Sequence, residues 1–270
     1  MRTLGVLEVA MKMFFSVYKS CIKAAFARAS AYRLNFLLSL VITLGFNLLF
    51  PLVTIMIYNA GASFPGWQFH EVLLIQSIFA LSNGLAGIMF NGVLWTTMQH
   101  VREGSFEIVL LKPTDPLFFL VSTNFDADNI GLLAGGGVLF AVALSFVGVP
   151  SFSAVVGFLI LFAAGFAVMA GMNMLMAATS FKWVGNSRIP EIFDSLMNFG
   201  KYPLTIFPQA IRGLATFIIP VGMIAFYPAA ALLGQVDWLI LLVVVPCVLF
   251  MFLGIWMYRH MVKRYEGVGG

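Results

Sequence analysis

The sequence predicts an all-α polytopic membrane protein with six transmembrane helices, on three observations. Residues of the AVILMFWYC set make up 61% of the 270-residue chain and charged residues only 10%, where soluble domains hold about 45–50% apolar and about 25% charged residues. Uncharged runs of the roughly 20 residues needed to cross about 30 Å of hydrocarbon recur along it. Lys and Arg fall in alternate connections between those runs. A soluble fold of this size has no core large enough for so much apolar surface, and disordered chains are polar and poor in aromatics. Two cysteines, Cys21 and Cys247, make neither a disulfide framework nor a metal cluster. Helices fit the unbroken runs, whereas barrel strands alternate over about 10 residues.

Residues 1–33 lack an unbroken apolar core and a cleavage site, so they do not read as a signal peptide. At helical spacing Glu8, Lys12, Ser16, Lys19 and Lys23 share one face, while Met13, Phe14, Val17, Cys21, Ile22, Ala25 and Phe26 fill much of the rest. This pattern predicts an amphipathic helix in the inner membrane surface, its lysines near anionic head groups. An arm packed on the protein's own cytoplasmic face is the alternative.

The transmembrane domain covers 34–258, with spans expected at Leu34–Tyr58, Val72–Met98, Ile130–Val149, Ala154–Phe181, Gly213–Leu233 and Trp238–Tyr258. Arg2, Lys12, Lys19, Lys23, Arg28 and Arg33 precede the first. Arg102 and Lys112 follow the second, Lys182, Arg188, Lys201 and Arg212 the fourth, and Arg259, Lys263 and Arg264 lie in the tail, 259–270. The connections at 59–71, 150–153 and 234–237 have no Lys or Arg. The positive-inside rule then makes both termini cytoplasmic. The net charge of +4 reflects topology and not nucleic-acid binding. Trp67, Trp95, Trp183, Trp238 and Trp256 all lie near span ends, as interfacial anchors do.

Two regions are less regular. Between Pro116 and Pro150 the chain is too long for one straight span and holds Asn124, Asp126, Asp128 and Asn129, so Leu117–Phe125 is expected along the inner interface. The proline-rich stretch 203–236 contains Pro203, Pro208, Pro220 and Pro228. It reads either as a single kinked span or as a span ending near Pro208 followed by a re-entrant pair of short outer helices. The second reading moves Arg212 outside and Lys201 toward the outer surface.

Chemistry is sparse. His70, His100 and His260 sit in separate connections, and no HExxH, CxxC or GxSxG pattern occurs. No metal site and no cofactor is expected. Gly135–Gly137 lacks the Lys-Ser/Thr of a phosphate loop. Gly131 and Gly135 form a GxxxG pair suited to helix packing. The expected spans contain no ionisable residue, the usual mark of an ion-coupled carrier. Asp126 and Asp128 are the nearest candidates, and they also fit a helix N-terminus. Asn47, Gln76, Ser82, Asn83, Asn91 and Asn173 suit a substrate path or interhelical hydrogen bonds.

The loop 99–116 is the most informative segment outside the spans. Arg102, Glu103, Glu107 and Lys112 are charged, Phe106 and Ile108–Leu111 are apolar, and Gly104, Pro113 and Pro116 bound a short helix. It reads as a docking knob for a cytoplasmic partner or as a membrane-surface helix.

Several stretches resemble the permease subunits of bacterial type-2 ATP-binding-cassette (ABC) transporters, six-span branch. They are Arg102-Glu-Gly-Ser-Phe-Glu107 with Leu110-Leu-Lys-Pro113, Phe199-Gly-Lys-Tyr-Pro203, Phe217-Ile-Ile-Pro220, Tyr227-Pro-Ala229 ahead of Leu232-Leu-Gly234, and Arg264-Tyr265 before closing glycines. The resemblance implies that Arg102, Glu103, Gly104, Phe106, Glu107, Leu110, Lys112 and Pro113 belong to a cytoplasmic coupling helix and its flanks, meeting a separate ATPase subunit. In that expectation Phe106 and Leu110 pack beneath the polar contacts. It also implies an N-terminal interfacial helix, favours the re-entrant reading, and points to an exporter in the inner membrane that pairs with a second permease, in a heterodimer or homodimer. An ion-coupled carrier and a membrane assembly factor are the rival readings.

Overall fold

A computed structural model describes residues 16, 18–24, 27, 31–183 and 188–266. Most of the expected amphipathic segment, including Glu8 and Lys12, lies outside the described residues. Residues 18–24 are helical, with Lys19 and Lys23 exposed and Cys21 and Ile22 half-buried.

All regular structure among the described residues is helical. Helix α1 is Arg33–Asn59; α2, Phe69–Ala86, continues through a π-helical turn, Gly87–Asn91, into α3, Gly92–Arg102. Two short helices follow, α4 (Glu107–Leu110) and α5 (Pro116–Thr123), then the long α6 (Ile130–Val147) and α7 (Phe152–Ser180). Three more short ones, α8 (Arg188–Asn198), α9 (Gln209–Gly213) and α10 (Phe226–Leu232), lead to α11 (Val244–Val262). Five helical stretches are long and apolar enough to cross a membrane: Arg33–Asn59, Phe69–Arg102, Ala127–Val147, Phe152–Ser180 and Leu239–Val262.

Local chemistry sets where the helices start. The Gln68 amide N–H donates to the Glu71 carboxylate (2.8 Å), closing a capping box on α2. Ser151 accepts from the Ala154 N–H at the start of α7. Asp115 accepts from the Phe118 N–H, and Pro116 occupies the first position of α5, where no amide hydrogen is needed.

The stretch α2–α3 is the buried post of the bundle and α1 its most exposed helix. Backbones approach closely where side chains are absent. Gly84 of α2 lies against Leu133 of α6, Gly136 of α6 against Ala80 and Leu81, and Gly131 against Leu40 and Thr43 of α1. The strongest pairing joins α7 to α11. There Gly171 faces Phe250, Met251 and Gly254, Phe181 meets Tyr258 with ring centroids 5.6 Å apart, and Gly157 and Leu161 share a small cavity with Val236 and Ile240. Early residues meet early residues and late meet late, so α7 and α11 run in the same direction.

Parallel neighbours require the chain between them to climb the bundle once more. The expected single span Gly213–Leu233 is not one helix. It consists of α9, a π-helical turn at Leu214–Ile218, a 3-10 turn at Val221–Met223, and α10. Pro220, which cannot donate an amide hydrogen, stands at the break, while Pro228 falls in the first turn of α10, where the donor is dispensable. The deepest point is Val221–Ile224: the Ser82 hydroxyl donates to the Ile224 carbonyl (2.8 Å), and Gly165 of α7 abuts Met223. On either side of it the chain returns toward the start of α2, where the Trp67 indole donates to Thr205 (2.7 Å) and Gln235 donates to Glu71 (3.2 Å).

Two basic residues therefore leave the end of the bundle where Arg102, Lys182 and Arg259 gather. Arg212 donates to the Thr205 carbonyl near the opposite end, and Lys201 lies beside Phe79, partway along α2. A second difference concerns 117–125. Instead of following one surface, α5 climbs along α3, so that the Thr96 hydroxyl donates to Asn124 (2.8 Å) and the Asp126 N–H donates to the Ile88 carbonyl (3.0 Å).

The Gly171–Gly254 contact gives a direct test. A Cβ on Gly254 would sit 2.5 Å from the Gly171 carbonyl oxygen, whereas one on Gly157 meets nothing nearer than 3.7 Å. Gly254→Val is expected to cost about 1–3 kcal/mol by overpacking. Thermal unfolding in detergent should show a clear fall for Gly254→Val and little change for Gly157→Ala.

Candidate functional site

The candidate site is the loop 99–116 with the helix ends that hold it. Phe69–Arg102 runs for 34 residues, about 51 Å at 1.5 Å per residue against about 30 Å of hydrocarbon. The excess amounts to several turns, and the loop begins at the end of α3.

The chain reverses at Gly104, whose φ of +68° suits glycine and strains other residues. The Ser105 N–H donates to the His100 carbonyl (2.8 Å), and the His100 ring nitrogen Nδ1 lies 2.7 Å from the Ser105 hydroxyl. Gln99 donates to the Glu103 carboxylate (3.0 Å). These bonds fold Arg102–Phe106 back under the helix end and start α4.

Helix α4 has two faces. Phe106 is fully buried and Val109 nearly so. Arg102, Glu103, Glu107, Ile108, Leu111, Lys112 and Pro113 are exposed, and Leu111 retains 84% of its surface. The expectation that Leu110 packs beneath the polar residues is corrected, because Leu110 is 40% exposed and Val109 takes the inner position. Val109 follows Phe106 by three positions, one turn of this short helix.

Phe106 is the anchor. Its ring meets Phe181 edge-on at 4.9 Å and Tyr265 at 5.4 Å, and Phe181 also meets Tyr258 and Tyr265, at 5.6 and 5.9 Å. Edge-to-face pairs of this kind add about 0.5–1.5 kcal/mol each to area burial. The loop is thus fastened to the ends of α7 and α11 at once. The Tyr258 hydroxyl lies 3.0 Å from that of Thr97 on α3, and Arg259 pairs with Asp115 at 3.4 Å. That ion pair is largely exposed and contributes little; the rings dominate.

Sequence reasoning found the loop but missed Phe181, Tyr258 and Tyr265. Their placement at the ends of apolar runs gave a signal, since aromatics there anchor either to lipid or to one another. Asp128 is exposed, and Asp126 is half-buried in the turn before α6, where its carboxylate accepts from the Asp128 N–H and the Asn129 amide. Among the described residues no group of His, Cys, Asp and Glu stands close enough to hold a metal ion. The arrangement is an exposed mixed surface fastened through Phe106 to the ends of α7 and α11.

Phe106→Ala is expected to cost about 3–5 kcal/mol, because a fully buried ring leaves a cavity. Leu111→Ala should stay within about 0.5 kcal/mol. Unfolding midpoints of the two purified variants check the contrast.

Residues 41–269 match the family described as ABC-2 family transporter protein. No curated protein and no solved structure matches the chain. The match takes in the anchored loop, the broken proline-rich stretch and both partners of the parallel pair, and the chain belongs to the ABC-2 transporter family.

Proposed function

We propose that the chain is the membrane-spanning permease subunit of an ABC exporter in the bacterial inner membrane. Both termini face the cytoplasm, a separate ATPase subunit supplies ATP hydrolysis, and the chain pairs with a second, related permease or with its own copy. It is a transport subunit and has no catalytic residue of its own. In this reading 203–236 is a re-entrant pair of short helices on the outer side, which accounts for Arg212 near the outer end, and 1–33 is an interfacial helix.

The single observation that carries the proposal is the two-faced knob. Ile108 and Leu111 are exposed beside Arg102, Glu103, Glu107 and Lys112, while Phe106 beneath them is wedged between Phe181 and Tyr265. Arg102, Glu103 and Glu107 make the polar contacts with the ATPase groove, and Gly104 and Pro113 set the limits of the knob. When ATP draws the ATPase subunits together, the knob moves with them. Phe106 passes the displacement to α7 and α11, and the permease pair exchanges inward for outward access. Nucleotide drives that exchange only through unequal affinity for the two states.

Reversing both acids, Glu103→Lys with Glu107→Lys, tests the assignment. Insertion should be unchanged, since both side chains are exposed. Losing interfacial charge pairs costs about 2–5 kcal/mol, so recovery of the ATPase with the tagged permease should fall at least about tenfold. Undiminished recovery of the ATPase and undiminished transport-linked hydrolysis would sink the assignment.

A further inference from the structure

A second site lies halfway along the bundle, far from the loop. A cavity of about 220 Å³ opens between α1, α2 and the start of α6, and its lining includes Phe50, Gln76, Phe79, Asn83, Leu132 and Lys201. On one flank it is bordered by Phe46 and Leu49 of α1, which are 66% and 50% exposed. The cavity therefore communicates with the outer surface of α1.

Two polar groups in it are unusual. Gln76 is only 5% exposed, and its Oε1 is buried without a hydrogen-bond partner. Its amide orientation is fixed by the network: the Thr54 hydroxyl donates to the Phe50 carbonyl (3.0 Å) and accepts from Gln76 Nε2 (2.7 Å). Oε1 is left as a free acceptor, and an unmet buried acceptor is costly. Lys201 lines the same cavity, its ammonium 3.8 Å from the Phe50 ring centroid and 5.1 Å from that of Phe79, with Asp194 as an electrostatic neighbour. Ring faces hold the ammonium without using its capacity to donate to an oxyanion.

We infer that this cavity binds the head of an amphiphile that carries a phosphate and a hydroxyl. Lys201 can only donate, and Gln76 Oε1 can only accept. A ligand must bring an acceptor for one and a donor for the other, which a phosphate ester next to a hydroxyl does. The volume is below the roughly 300–1,000 Å³ of sites for whole drug-sized ligands. It suits a head group, with the acyl chain lying outside along Phe46 and Leu49. That the bound amphiphile is cargo rests on the exporter reading; the site itself does not.

Native mass spectrometry of the purified full chain, without ATPase or nucleotide, tests it with two single-chain probes, lysophosphatidylglycerol and hexadecylphosphocholine, the second a phosphocholine with no hydroxyl. The first should bind saturably, and the second at least about tenfold more weakly for want of a hydroxyl donor to Gln76. Lys201→Met should weaken lysophosphatidylglycerol about tenfold or more and Gln76→Leu about threefold to tenfold, while Lys201→Arg keeps the charge and most of the affinity. Leu49→Trp, which fills the mouth from the exposed flank without touching a charge, should also abolish the preference. Equal affinity for the two lipids, or wild-type binding in both Lys201→Met and Leu49→Trp, overturns the site. Competition by equimolar sn-glycerol 3-phosphate overturns a lipid source in favour of a free phosphate ester, and failure to compete supports the lipid. If the chain extracted from native membranes brings no ATPase with it, yet binds the first lipid once purified, the site stands and the exporter reading falls. ATPase recovery without binding would do the reverse.

Discussion

The parallel pairing of α7 with α11 constrains the rest of the molecule. Two glycines, Gly171 and Gly254, let the helices touch along their backbones, and late aromatic residues lock the same ends together. Once two consecutive long helices run the same way, the residues between them must recross the bundle. The space there is bordered by α2 and α7, and α10 packs against both. The recrossing chain is made of short helical pieces whose free carbonyls find partners on neighbours, as the Ile224 carbonyl does on Ser82. Irregular backbone at that depth is tolerable only when protein covers it.

The same pairing explains how the loop is anchored. A four-residue helix has no stability of its own. What holds α4 is Phe106, inserted where α7, α11 and the residues after α11 converge. A surface so mounted cannot move independently of the helices beneath it. Under the proposed coupling role, force applied at Leu111 or Glu107 would pass through Phe106 to the ends of α7 and α11.

Much of this was legible in the residues. Apolar run length located all five long helices, and the absence of Lys and Arg at 59–71, 150–153 and 234–237 marked three connections that the structure gathers at one end. The loop was found from its mixed composition and its prolines. The failures have physical causes. Charge counting assigns a residue to a connection, but Lys201 and Arg212 belong to a segment that is neither span nor connection. Helical periodicity cannot separate Val109 from Leu110 within a single turn, where the outcome depends on how Phe106 docks. Gln76 and Lys201 were each visible, the first as a polar residue in a span and the second as a loop cation. Only the recrossing chain brings them to one cavity.

The π-helical turn Gly87–Asn91 gives the central post a further property. A π turn holds one residue more than an α turn over the same stretch. Here its Ile88 carbonyl also accepts the amide hydrogen of Asp126, so the irregularity is tied to the start of α6. Removing the extra residue would rotate everything beyond it by about 100° about the helix axis. Thr97 would turn away from Tyr258, and Phe106 would be aimed at another side of the bundle. The turn acts as a phase setting between the two halves of one rod: it fixes which compass direction at the far end corresponds to a given direction at the near end.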